Sequence, residues 1–384
     1  MADTQTTFAT IDIGTNTTLL LVARARAGTE AGDPGGGVTV LEDRAEITRL
    51  GRGIGSTGQL GAEGIAATLA VLRDYVRIAR QHGARIAAIG TEGLRRAANA
   101  SAFLQPAREV LGTEVEVIDG AREAALTFRA VTESFPALVR PPVPPGQGGS
   151  QRGARHPAVP AERGARHPAA DSNPRGANQR GARDPAAAEE RGARDPAATE
   201  EPLVVVDIGG GSTEIIVAEG GVVRLRASLP LGSVRLAERY IRSDPPTDGE
   251  LDAVRAAIAA ELGAAGLRAA LPHGADTLVG VAGTVTSLAA MAQDLATYDP
   301  ARVHGFALTR AALEDQIARL AQATQAEREA MAGLDPRRAD VILPGALILR
   351  ALVEVSETSH VVVSDRGIRW GLLYEALSQG SRRS

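Results

Sequence analysis

Cysteine is absent from the chain. That excludes disulfides, thiolate zinc sites and a cysteine nucleophile. Lysine is absent too, and all 42 basic residues are arginine. Any side-chain grip on phosphate must therefore come from the planar guanidinium fork. Only six histidines and a single tryptophan are present, and Trp370 reads as core rather than site. No apolar run approaches a membrane span. The opening MADTQTTFAT lacks the basic start and apolar core of a secretory signal. The expectation is a cytoplasmic protein with no membrane partner. Neither sign of charge dominates, since the formal net charge is −4 over 384 residues, so no nucleic-acid partner is implied. That length allows two domains with real cores.

What is present is organised around PLVVVDIGGGSTEIIVA, residues 202–218. A mostly β-branched apolar run, Leu203–Val206, reads as a buried strand that ends at Asp207. Gly209, Gly210 and Gly211 follow, then Ser212, Thr213 and Glu214, before Ile215–Val217 restart the apolar run. Three glycines let a ligand approach the backbone with no Cβ in the way. Their N–H groups, beside two hydroxyls, form a nest for an anion. Asp207 and Glu214 flank that nest. They would repel a phosphate unless a hard cation such as Mg²⁺ sat between.

A weaker copy stands at residues 8–23, FATIDIGTNTTLLLVA. It runs strand, Asp12, Gly14, then Thr15, Asn16 and Thr17, then strand. One such turn is ordinarily a hairpin. Two of the same kind, far apart in the chain, suggest related halves facing one another across a phosphate-binding cleft. A third loop, Gly280 to Thr284, puts Gly283 and Thr284 where a strand passes into a helix. There the first N–H groups lack internal partners and the helix dipole favours an anion.

Along the chain, residues 8–27 give a hairpin, Gly28–Gly37 a loose loop, and Val38–Leu41 and Ala45–Leu50 two strands. Arg49 to Gly53 forms a basic turn. Ile65, Leu69, Leu72, Val76 and Ala79 mark one face of a helix over Glu63–Gln81. Strands follow at Ile86–Gly90 and Val115–Ile118, with helices from Thr91 through Leu104 and from Arg122 to Val131. The second half adds strands at Val222–Leu229, Thr277–Val281 and His360–Ser364. Its helices fall at Ser233–Ile241, Gly249–Leu271, Val285–Leu295, Thr309–Ala323, Leu343–Val355 and Ile368–Leu377. This alternation is an α/β pattern with mixed sheets.

Between these halves, residues 141–201 differ in character. RGARHPA starts at Arg152 and Arg163, and RGARDPAA at Arg180 and Arg191. The segment contains no Leu, Ile, Phe, Met, Trp or Tyr. It cannot bury enough apolar surface to offset the entropy of ordering, so a disordered insertion is expected.

The pieces IDIGTNT, RLGRGI, GTEGLRRAAN, VIDGAREAAL, VVVDIGGGSTEI, GVAGTVTS, PGALIL and VSDRGIRWGLL occur in this order. With them the chain resembles the exopolyphosphatase and guanosine pentaphosphate phosphatase family, in its short two-domain form. That family lies within the group of actin, hexokinase and Hsp70 ATPase domains. The resemblance implies two ribonuclease-H-like domains around a central cleft. Domain I is then 1–120, with 366–384 packing back on it, and domain II is 121–140 with 202–365. It further implies Mg²⁺-dependent hydrolysis of a terminal phosphoanhydride, with Mn²⁺ as the alternative ion, and a homodimer. The substrate is inorganic polyphosphate or, alternatively, guanosine pentaphosphate. A non-catalytic polyphosphate or nucleotide sensor is the reading from another class.

Carried over residue by residue, the family's catalytic glutamate falls on Glu123 and its arginine on Arg95. Its metal-binding or water-positioning acids fall on Asp207 and Glu214, and Asp12 holds the matching place in the first loop. Asn16 matches that loop's polar residue. Phosphate contacts are expected from Gly14, Thr15, Asn16, Thr17, Gly209, Gly210, Gly211, Ser212, Thr213, Gly283 and Thr284. Alone, Glu123 reads as a helix-start glutamate favoured by the dipole, and Arg95 as a surface arginine. The order of the matched pieces makes them candidates. One departure is Arg122, where the family pattern has a first glutamate. It is expected to lower the Glu123 pKa or to add a phosphate contact.

Overall fold

The computed structural model describes residues 6–25, 37–138, 202–271, 273–275 and 277–380. The repeat segment 141–201 and most of the loop expected at Gly28–Gly37 lie outside the described residues.

Two sheets carry the fold. The first contains β1 (Thr7–Ile13), β2 (Thr17–Ala25), β3 (Val38–Ile47), β4 (Arg85–Gly90) and β5 (Val115–Val117), in the order β3-β2-β1-β4-β5. The second contains β6 (Leu203–Ile208), β7 (Thr213–Glu219), β8 (Val222–Leu229), β9 (Thr277–Val281), β10 (Ala307–Thr309) and β11 (His360–Val363), in the order β10-β11-β9-β6-β7-β8. Each sheet opens with a three-stranded antiparallel meander and extends from its first strand by parallel pairing. Every residue of β6 is buried, as suits a strand with partners on both edges and helices over its faces.

The two meanders match residue by residue. Asp12 pairs with Leu19 as Asp207 pairs with Glu214. Both second strands carry a register shift at the equivalent place, Val22/Ala23 in one and Val217/Ala218 in the other. The halves therefore differ chemically at one decisive position. Where the second hairpin has the acid Glu214, the first has Leu19.

Separate cores fill behind the sheets. Helices Ala62–Gln81 and Ser101–Leu111 supply Leu69, Leu72, Phe103 and Leu111 to the first. Helices Ala282–Ala292 and Ile342–Ser356 supply Leu288, Leu347 and Leu349, among others, to the second. Two further helices link the sheets. Gly120–Ser134 packs Ala124 and Val131 against Val205, Ile216 and Val279. The C-terminal helix, Ile368–Gly380, packs Trp370, Leu373 and Tyr374 against Leu21 and Ala23. These helices also lie on each other at Gly371, where a Cβ would stand 2.6 Å from the Leu126 carbonyl carbon.

Several elements differ from the sequence expectation. β3 is one strand rather than two, because an edge strand tolerates its charged run Glu42–Arg44 and the exposed stretch Asp43–Glu46. The helix expected from Thr91 through Leu104 is broken into Glu92–Arg96 and Ser101–Leu111. At the break the Asn99 side chain bonds both backbone groups of Leu60, at 2.7 and 3.1 Å, tying the break to that distant segment. The helix expected over Gly249–Leu271 divides at Gly266, which takes φ +65°.

Candidate active site

The site is built upward from the two acid-glycine turns. In the first, Gly14 N–H donates to the Thr17 carbonyl at 3.0 Å; in the second, Gly209 N–H donates to the Ser212 carbonyl at 3.0 Å. These bonds close the turns and correct one expectation, since the Gly14 and Gly209 N–H groups are consumed internally. The N–H groups of the middle residues, Thr15 and Asn16 in one turn and Gly210 and Gly211 in the other, donate to no acceptor among the described residues. The tips meet, because a Cβ on Gly210 would stand 3.2 Å from Asn16 Cβ and 3.4 Å from Thr15 Cβ. Thr213 also departs from expectation. It is fully buried and its hydroxyl donates to the Leu231 carbonyl at 2.6 Å, so the side chain is turned away from the cleft.

The third loop begins its helix at Ala282, earlier than the expected Val285. Gly283 and Thr284 thus lie in the first turn, where backbone donors have no helical acceptor. Ala282 holds φ +70°, a left-handed conformation that costs a residue with a Cβ about 1–3 kcal/mol and is tolerated where surrounding packing enforces it.

Glu123 arrives on the helix Gly120–Ser134. Asp119 caps that helix by accepting the Arg122 N–H at 2.8 Å. The start is pressed against β8, where a Cβ on Gly120 would stand 2.6 Å from Ser228 Oγ. One turn beyond Glu123, on the same helix face, Thr127 donates to Asp207 Oδ2 at 3.0 Å. Ser228 donates to Glu214 Oε1 at 2.8 Å. Arg95 donates to Glu123 Oε1 and to the Ile118 carbonyl, both at 2.6 Å. Arg122 does neither thing expected of it. Its guanidinium forms a two-point pair with Glu375 of the C-terminal helix, at 2.8 and 2.6 Å.

The acids are buried together and disturb one another. Asp12 is pushed up to about 8, first by burial, then by the charges of Asp207 and Glu123, with Arg369 pulling it down. Burial pushes the Glu123 carboxyl up to about 7 against the lowering hydrogen bond and charge of Arg95, and Asp207 and Glu92 add to the rise. Burial pushes Asp207 up to about 6, with Thr127 lowering it. Glu214 is raised well above the ordinary range by burial and then by Glu123 and Asp207. Asp12 Oδ1 is fully buried with no hydrogen-bond partner. A buried carboxylate oxygen with no donor, among acids that repel one another, suits a bound cation. Among the described residues, no three His, Asp or Glu side chains converge as a ready-made metal cluster.

One cavity of about 680 Å³ is lined by residues of all three loops together with Asp12, Glu123, Asp207 and Glu214. Arg95 stands behind Glu123 and does not line it. Arg338 and Glu92 are among the lining residues that escaped sequence reading. Arg338 donates to Thr17 Oγ1 at 3.2 Å and lies over Gly283, where a Cβ would come within 2.6 Å of its guanidinium carbon. It has no ion-pair partner within reach among the described residues. Glu92, 5% exposed, accepts from Arg96 at 2.9 Å and also pairs with Arg235, which in turn donates to the Gly211 carbonyl at 2.8 Å. Glu92 belongs to the first half and Arg235 to the second, so this pair fixes one turn relative to the other. An arginine pair before a helix, or a glutamate in its first turn, carries no sequence signal beyond the commonplace.

A model of the Ppx/GppA phosphatase family matches residues 22–143 and 188–379. The chain belongs to this family. Exopolyphosphatase 2 of Mycobacterium tuberculosis is 33% identical over 96% of this chain and 97% of its own length. The guanosine-5'-triphosphate,3'-diphosphate pyrophosphatase of Photobacterium profundum is 25% identical over 97% of this chain and 59% of its own. The Ppx/GppA crystal structure from Aquifex aeolicus is 28% identical, with a TM-score of 0.67 over 98% of both chains. The fold is accordingly the actin-like one, with two ribonuclease-H-like halves around a central cleft. Residues 144–187, which the family model leaves unmatched, fall within the repeat segment.

Proposed function

We propose that the protein is an exopolyphosphatase that hydrolyses the terminal phosphoanhydride of inorganic polyphosphate and releases orthophosphate. The carrying observation is Glu123, held near 7 in the cavity that also receives the unsatisfied turn N–H groups. Phosphoryl transfer is mainly positioning and stabilisation of the equatorial oxygens. Donors for those oxygens are the N–H groups of Thr15, Asn16, Gly210 and Gly211 and of the first turn at Gly283 and Thr284, with the Arg338 guanidinium. Glu123 takes the proton of the attacking water as its oxygen bonds to the terminal phosphorus. The bridging P–O bond breaks, and the shortened chain leaves with the electron pair. Arg95 positions Glu123 and tunes its basicity.

Asp12, with its unpartnered Oδ1, and the neighbouring Asp207 and Glu214 are the acids that would hold a divalent cation, Mg²⁺ or Mn²⁺. Among the described residues they do not converge as a ready-made three-acid cluster, so water and substrate oxygens would supply much of its shell. When bound, such an ion neutralises phosphate charge and polarises a phosphoryl oxygen. A homodimer and a cytoplasmic location belong to the same reading. Among the described residues, no helix is long and apolar enough to cross a membrane.

Phosphate release from long-chain polyphosphate and from guanosine pentaphosphate, each with Mg²⁺, tests the proposal. Faster release from polyphosphate is expected. Preference for guanosine pentaphosphate would replace the substrate, and binding of either without release would leave a sensor.

A further inference from the structure

A second cavity, about 260 Å³, opens on the far side of the first turn, and Thr15 and Asn16 line both cavities. Its floor is the basic turn at Arg49–Gly53, strapped to the first loop. Thr48 and Arg49 N–H donate to the Asn16 carbonyl at 3.0 and 2.9 Å, and Gly51 N–H to the Thr15 carbonyl at 2.8 Å. The opposite wall is the end of the helix Ser233–Tyr240 and the residues after it.

Charge in this groove does not cancel. Asp340 is matched by Arg49 at 2.8 Å and Asp244 by Arg328 at 3.0 Å. Glu238 accepts the Gly53 N–H at 2.8 Å. Arg52 and Arg242 also line the groove and are exposed, and their guanidinium groups have no carboxylate partner among the described residues, the Arg242 backbone N–H alone donating to Glu250 at 2.7 Å. Arg242 is held in place by carbonyls at the end of its helix, including that of Ile241 at 3.0 Å. On the wall that the two cavities share, the Asn16 side chain is 8% exposed and its amide makes no hydrogen bond to a described residue. An amide in that position is a donor waiting for an acceptor that enters from either side.

We propose that this groove is a second polyanion subsite. It holds the part of a linear polyphosphate that trails away from the reacting end, with Asn16 bridging the two segments and the Arg52 and Arg242 guanidinium groups gripping the trailing phosphates. The inference rests on the phosphatase reading of the main cavity and adds a chain-length preference to it. A substrate too short to pass Asn16 gains nothing from the groove, whereas a long chain gains two charge-assisted contacts.

The test is the pair Arg52→Gln and Arg242→Gln, singly and combined, assayed on long-chain polyphosphate and on tripolyphosphate. Both side chains are exposed, so the variants should keep the wild-type melting temperature. KM for the long chain should rise about tenfold in each single variant, the scale of one charge-assisted hydrogen bond, and about a hundredfold in the double variant. Both constants for tripolyphosphate should stay within about twofold of wild type. Equal changes on both substrates, or none on either, would overturn the subsite. If the wild type released phosphate from neither, the catalytic reading would fail by itself and calorimetric binding would decide the groove. Weaker binding of the long chain alone by the double variant would uphold it, and unchanged binding would remove it.

Discussion

Arg95 and Glu123 are joined by a 2.6 Å hydrogen bond in which the guanidinium holds down the pKa of a carboxyl that burial pushes up to about 7. A base is competent only when ionised, so turnover should fall as pH drops below about 7. Glu123→Gln should lower kcat by at least about a hundredfold while leaving calorimetric polyphosphate binding nearly intact. Arg95→Gln removes the lowering influence, so the acidic limb of the kcat–pH profile should move to higher pH. A limb that stays in place would free Arg95 from this positioning role.

Arg122 belongs to a different job. Its two-point pair with Glu375 joins the start of one interdomain helix to the C-terminal helix, with side chains 33% and 23% exposed. Arg122→Ala should cost about 1 kcal/mol in urea unfolding and leave kcat within about twofold. A large loss of kcat at unchanged stability would return Arg122 to the chemistry.

Stability should fall with rising pH when no divalent cation is present. Asp12, Glu123 and Asp207 are raised to about 8, 7 and 6. The folded state therefore holds more protons than the unfolded chain between about pH 4 and those values. Each fully differing group lowers stability by about 1.4 kcal/mol per pH unit in that window. Asp12→Asn should flatten the slope, read from urea midpoints between about pH 5 and pH 8. Mg²⁺ should raise the melting temperature more at the upper end than at the lower, because only ionised acids bind it. An equal shift at both ends would argue against the acids as ligands.

Gly232 holds the second turn from behind. A Cβ there would collide with the Gly210 carbonyl and stand 2.5 Å from the Gly211 carbonyl carbon. Both are backbone groups that cannot swing aside. Gly232→Ala should displace the turn and lower kcat by about a hundredfold, the effect of a misplacement near 1 Å. An unaltered kcat would show that the turn can move without consequence.

Removal of residues 144–187, the stretch outside the family match, should leave kcat and KM for polyphosphate unchanged. A lost or altered activity would give the repeats a part in catalysis or assembly.

The amino-acid sequence by itself determined the strand, turn and strand units, the acids at their ends and the helix that carries Glu123. These are local properties. A β-branched run, a glycine turn and a capped helix start each depend on neighbours a few positions away. The equivalence of the two hairpins was also legible, because the same acid-glycine spacing occurs in both. The tertiary structure alone decided where Arg122 points, that Gly14 and Gly209 spend their N–H groups within the turns, and that Thr213 faces inward. It also brought Arg338 over Gly283 and Glu92 to Arg235 from opposite halves. A charged side chain or a backbone donor has no fixed role until the group opposite it is known. That group comes from a distant part of the chain, delivered by the packing of two sheets.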